Sequence, residues 1–232
     1  MHYFSKFINM AKYITSTGNL IKSFHLSKAV RIKTGALKRH GPTKQGKKLI
    51  SLADGIKIKR IITKKDSLFL QISKLYFDNR DEGFSRYAKE FSYSEFEKIL
   101  INPDYIKFIA LNDQGCPVGV LIMTDNTKLL MNDIWLDEKY IKNRVISKDN
   151  VKRYWISQSF VDKKERNAKI FSSLVVKIIQ FCEKENAMIF FDWAVENTPY
   201  IPILIKSIGK EIGLKIEGKN ISCEICSVFW IK

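Results

Sequence analysis

The chain has 232 residues, enough for one full domain with an extension or for two small ones, and its 45% hydrophobic content can supply a core. A formal net charge of +16 favours an anionic partner (nucleic acid, a membrane surface or a phosphorylated small molecule) and disfavours a polycationic one. No apolar run approaches bilayer length and no secretory core opens the chain, so the expectation is a cytoplasmic protein without a transmembrane segment.

Residues 1–53 carry eleven Lys or Arg and no Asp or Glu, and so hold eleven of the sixteen net charges. His2, His25 and His40, the three histidines, also lie there, which leaves the body without an imidazole base or metal ligand. Tyr3, Phe4, Phe7, Ile8, Ala11 and Ile14 fall at helical spacing, with Lys6 and Lys12 off that face, so 3–14 reads as a short basic amphipathic helix. Residues 20–32 repeat the pattern, and the Gly-, Lys- and Thr-rich stretch 33–48 reads as a flexible linker. Three roles fit this extension: a helix pair packed on the body, a surface for nucleic acid or for peripheral membrane contact through 3–14, and a transit peptide. The expected organisation is a basic extension and linker over 1–53 ahead of a body over 54–232.

The body opens with a partly alternating strand, 56–63, and a helix over 68–77 capped by Asp66 or Ser67. Residues 79–87 read as a loop. A second helix over 94–100 turns Tyr93, Phe96, Ile99 and Leu100 inward and stops at Asn102-Pro103-Asp104. A hairpin joins 105–111 to 117–124 through Asn112-Asp113-Gln114-Gly115. Stretch 127–150 is long for a connection and reads as an extra strand, a short helical insert or padding of the sheet edge.

The informative stretch is 153–193. A strand over 154–161 leads through a polar turn, Asp162 to Asn167, into a helix whose apolar residues fall at Phe171, Leu174, Val175, Ile178, Ile179 and Cys182. A second strand follows over 187–193, and the order strand, helix, strand predicts a right-handed parallel crossover. The turn before the helix brings backbone N–H groups, a helix dipole and Arg166 together, which suits a phosphate or pyrophosphate; Asn167 can cap that helix. Beyond it, Thr198 and Pro199 start a helix that runs to about Ile212, Gly213 stops it, and two strands close the chain around Gly218-Lys219-Asn220. Cys116, Cys182, Cys223 and Cys226 read as reduced structural cysteines, and no metal site is expected.

Val161, Arg166, Ile170 and Leu174 are spaced as in the acyl-CoA-binding motif of the GNAT superfamily of N-acetyltransferases, which the chain resembles over roughly 54–231. Arg166 matches the arginine of that motif (Arg-x-x-Gly-x-Gly/Ala), whereas Lys169 and Phe171 stand where its glycines belong. Asn197, the following helix and Gly213-Leu214 are similar to the family's Asn, helix and Gly-Phe ending. The resemblance implies a mixed α/β, acyl-CoA N-acyltransferase-like sheet and transfer of acetyl from acetyl-CoA, as acyl-donor substrate and without a metal, to an amine. It implies that backbone groups near Phe160 and Val161 polarise the thioester. The turn Arg166, Asn167, Ala168, Lys169, Ile170 and Phe171, with Asn197, then holds the donor. Glu196 or Asp192 is placed to relay the amine's proton, and Tyr200 lies one helical turn from Leu204, where many members keep a Tyr acid. Each has a plainer role open to it: Phe171 as a core residue, Lys169 as a solvated lysine, the carboxylates as ordinary strand-end residues. The alternatives are a non-catalytic protein of the same fold that binds nucleic acid or another anionic partner through 1–53, and an acyltransferase fed by aminoacyl-tRNA.

Overall fold

The computed structural model describes residues 41–83, 91–126, 128–129, 151–165, 169–192, 200–220 and 226–231. The basic helices expected over 3–32 lie outside these residues. Where the linker over 33–48 was expected, the chain enters helix α1, Lys44–Asp54, at Lys44. Thr43 caps it by accepting from Gly46 N at 3.1 Å, and Leu49 and Ala53 are buried in the core. The lysines of this stretch sit on the solvated side of an amphipathic helix, so their number hid the apolar stripe.

Strand β1, Lys57–Lys59, is shorter than the 56–63 run suggested. Helix α2 spans Ser67–Gly83, six residues past the expected end, with Leu68 N bonded to Asp66 Oδ1 at 3.0 Å. It continues because Asn79 falls on the stripe of Ile72 and Tyr76, is itself buried, and donates to Leu75 O at 2.8 Å. Helix α3, Tyr93–Ile101, starts on a capping box between Ser92 and Glu95. Phe96, Ile99 and Leu100 point inward as expected, but Tyr93 is exposed and stacks on Phe77 at 5.3 Å instead.

Strands β2, Tyr105–Leu111, and β3, Pro117–Thr124, form the expected hairpin, with Gly115 at φ 77 in its turn. Both are buried on nearly every residue because helices cover both faces of the sheet. Of the stretch 127–150, only 128–129 are described; Leu129 packs on the core beneath α2 and α3. Then follow β4, Lys152–Val161, helix α4, Ile170–Glu185, β5, Ala187–Asp192, helix α5, Tyr200–Ile212, β6, Ile216–Asn220, and β7, Cys226–Ile231. Gly213 at φ 79 ends α5, with Leu214 N bonded to Gly209 O at 2.8 Å. Gly218, Lys219 and Asn220, expected in the last turn, lie within β6 and pair with β7.

The seven strands make one sheet in the order β1-β2-β3-β4-β5-β7-β6, antiparallel except for β4 beside β5. The mixed α/β architecture is the one implied by the resemblance, and β4 and β5 are parallel as the order strand, helix, strand predicts. One core, with Phe108, Leu121, Met123, Ile156 and Phe191, lies under α1, α4 and α5. The other, with Ile109, Val120, Ile122 and Phe160, lies under α2 and α3.

Candidate active site at the divergence of two parallel strands

The parallel pair is short. Lys152, Arg153, Tyr154 and Trp155 face Ala187, Met188, Ile189 and Phe190, and there the pairing ends. Both strands continue, β4 to Val161 and β5 to Asp192, and β5 stays paired with β7. Past Trp155, therefore, the β4 edge no longer has β5 as its ladder partner. The last pair closes the angle between the strands with a ring stack, Trp155 on Phe190, at 4.6 Å and 24°.

A bulge sits at the same place. Ile122 faces Gln158 and Met123 faces Ile156, so β4 uses three residues where β3 uses two, with Ser157 the extra one. Bulges bend and twist a strand, and this one turns β4 away from β5 just beyond their last pair. Sequence alternation gave no sign of it: Tyr154, Ile156 and Phe160 look like one face, yet Phe160 lies on the opposite side from the other two.

The end of β4 is tied down by Asp162. Its N–H donates to Val118 O at 2.8 Å, and its Oδ1 accepts from Lys164 N at 2.9 Å. After the 3₁₀ turn Lys163–Glu165 the chain reaches Lys169, which takes a left-handed conformation, φ 61 and ψ 19. Lys169 is the residue that the resemblance sets against the first motif glycine. The backbone bend glycine would allow is therefore present, made with a side chain that disfavours it by about 1–2 kcal/mol.

Helix α4 begins one residue later than Lys169, not at Asn167, and Lys169 supplies no side-chain cap. Among the described residues no side-chain oxygen therefore caps the first-turn N–H groups, a state suited to an anion. Phe171 is half-buried and packs against the core with Ile170, so its ring serves the helix's apolar stripe. Ser173, missed by the apolar spacing, is buried and donates from both N and Oγ to Lys169 O, at 2.9 and 3.0 Å.

Phe160 is buried and Val161 half-buried at the end of β4. Asp192 is the last residue of β5 and Tyr200 the first of α5. Arg166, Asn167, Ala168, Glu196 and Asn197 lie outside the described residues. Among the described residues no group of three His, Cys, Asp or Glu could hold a metal ion, and no helix is long and apolar enough to cross a membrane. Cys182 is buried within α4, and that burial pushes its thiol up to about 12, which keeps it unreactive. At the far end of the crossover, Lys152 donates to Glu185 at 2.6 Å and holds that carboxyl below the usual carboxylate range.

Sequence reasoning also missed Lys107, which is fully buried on β2. Its ammonium donates to Arg60 O and to Asn102 O, the latter at 2.7 Å. Burial, helped by the Arg60 charge, pushes its pKa down to about 7. It lies toward the β1 edge, two strands from the divergence, and pins the chain crossings at Arg60 and Asn102.

No protein-family model matches the chain, and no curated protein matches its sequence. Solved structures are similar to it at low identity. Arabidopsis thaliana NAA60 in complex with acetyl-CoA is 11% identical with a TM-score of 0.45, over 76% of this chain and 97% of that one. A histone acetyltransferase HPA2 and related acetyltransferase from Corynebacterium glutamicum is 11% identical with a TM-score of 0.49, over 76% and 96%. The ribosomal-protein-S18-alanine N-acetyltransferase from Escherichia coli is 11% identical with a TM-score of 0.44, over 75% and 91%.

Proposed function

We propose that the chain is an N-acyltransferase that moves an acetyl group from acetyl-CoA to an amine in the cytoplasm. The supporting observation is the parting of β4 from β5 after Trp155 and Phe190, with the start of α4, where Lys169 supplies no side-chain cap, beside the end of β4. Parted parallel strands offer an extended donor arm a slot between them. The turn Arg166, Asn167, Ala168 and Lys169, ahead of Ile170 and Phe171, offers its pyrophosphate N–H groups and positive charge.

In this reading the amine nitrogen attacks the thioester carbon while N–H groups near Phe160 and Val161 stabilise the oxyanion. The C–S bond breaks, the amine's proton passes through water to Glu196 or Asp192, and Tyr200 protonates the thiolate. Asn197 steadies the donor from the β5 side. The net charge of +16 favours an acceptor on an anionic carrier, such as a tRNA- or nucleotide-borne amine. Arg166→Ala is expected to weaken CoA binding about tenfold or more, the loss of one charge-assisted contact; unchanged affinity would place the anion site elsewhere.

A second reading, a non-catalytic protein that binds an anionic partner through 1–53, is favoured by Lys169 and Phe171 at the glycine positions and by the eleven charges of that stretch. Its signature is RNA or DNA retention that falls steeply with salt and vanishes on deleting 1–53, in a chain that CoA does not stabilise.

A further inference from the structure

The sheet face away from α4 carries a second feature at the same divergence. Thr124 pairs with Trp155 and Ile122 with Gln158. Thr124 and Ile122 are two residues apart on β3 and share a face, so Trp155 and Gln158 share one too, although they are three apart; the bulge at Ser157 makes this so. It is the face of Ile122 and Phe160, covered by α2 and α3.

Both side chains are 4% exposed, and neither Trp155 Nε1 nor Gln158 Oε1 has a hydrogen-bond partner among the described residues. One can only donate and the other can only accept. Burying such groups without partners destabilises the free protein, and a ligand that satisfies both recovers the loss. Their separation along β4 straddles the point where β5 leaves the strand.

We infer that Trp155 and Gln158 orient the acceptor, and that the acceptor carries a neutral amide beside its reacting amine. The amide C=O accepts from Trp155 Nε1, and its N–H donates to Gln158 Oε1. This rests on the acyltransferase reading. The donor's phosphates belong at the start of α4, on the other face, and stabilisation by CoA that survives in variants of the pair separates the acceptor from the amides of the donor arm. The net charge acts at long range on the acceptor's carrier, while this pair reads the neutral group next to the amine.

The test uses the full chain, acetyl-CoA, and two acceptors, alaninamide and n-propylamine, with Gln158→Met and Trp155→Phe as variants. The wild type is expected to prefer alaninamide in kcat/KM. Each variant should cut that preference about tenfold, the worth of one hydrogen bond, and leave the stabilisation by CoA unchanged. Gln158→Met should keep or raise the melting temperature, because it removes an unsatisfied buried group without changing length. An unchanged preference, a loss of CoA stabilisation in the variants, or no turnover of either amine by a chain that CoA stabilises would overturn the assignment. If CoA does not stabilise the wild type, the acyltransferase reading itself falls, before any acceptor is tried.

Discussion

A Cβ on Gly119 would stand 2.5 Å from Ile170 Cγ2, closer than side-chain carbons approach. Gly119 lies on β3 opposite Val161, the last residue of β4, and Ile170 is the first residue of α4. The missing side chain thus lets the start of the helix settle against the sheet where β4 has lost β5. Gly119→Ala is expected to push that helix end outward and to cost about 1–3 kcal/mol, the usual range for overpacking a core. CoA affinity should fall with it. A Gly119→Ala protein of unchanged melting temperature would show that the contact is not a positioning one.

Lys169 gives the same turn a second handle. Relieving its left-handed backbone with Lys169→Gly should gain about 0.5–1 kcal/mol, the steric gain less glycine's greater unfolded-state entropy. Lys169→Ala keeps a Cβ and should gain nothing. Equal melting temperatures for the two variants would contradict the positive φ.

Gly46 joins α1 to α5. A Cβ there would lie 1.7 Å from Glu211 O, a backbone atom that cannot rotate away, while Thr43 donates to the Glu211 carboxylate beside it. Gly46→Ala is expected to destabilise by at least about 2 kcal/mol as α1 lifts from the core, read as a lower chemical-denaturation midpoint. No loss would mean that α1 is not part of the folded body.

Lys107 should make stability depend on pH. Its folded pKa is lowered from 10.5 to about 7, so between those values the unfolded chain holds a proton that the folded chain has released. Stability contributed by this group is lowest below pH 7 and rises with pH up to about 10.5. Lys107→Met should flatten that rise; an identical pH profile for wild type and variant would contradict the burial of the charge.

Much of this architecture was legible in the chain. The spacing Leu174, Val175, Ile178, Ile179, Cys182 marked one buried helix face, and those residues are buried. The hairpin turn at Asn112 to Gly115 and the stop at Gly213 follow from glycine at positive φ. The features that define the site were not legible, for physical reasons. A bulge changes register through pairing with another strand, and nothing local to Ser157 signals it. The left-handed bend falls on Lys169, a residue whose propensity argues against it. Lys107 looks like a solvated lysine in an apolar strand until Arg60 O, 47 residues earlier, is brought to it beside the nearby Asn102 O. The α1 stripe is masked by its own lysines, which fill the solvated side of the same eleven residues.

The parted strands and the start of α4 are proposed to hold an acyl-CoA. The most direct measurement of this is the thermal denaturation of the full chain titrated with acetyl-CoA and with CoA. At a hundredfold excess over Kd a saturable stabilisation of about 2.7 kcal/mol is expected, or roughly 5–10 °C for a chain of this size, at moderate salt. A melting temperature that stays flat through millimolar concentrations of both would contradict it.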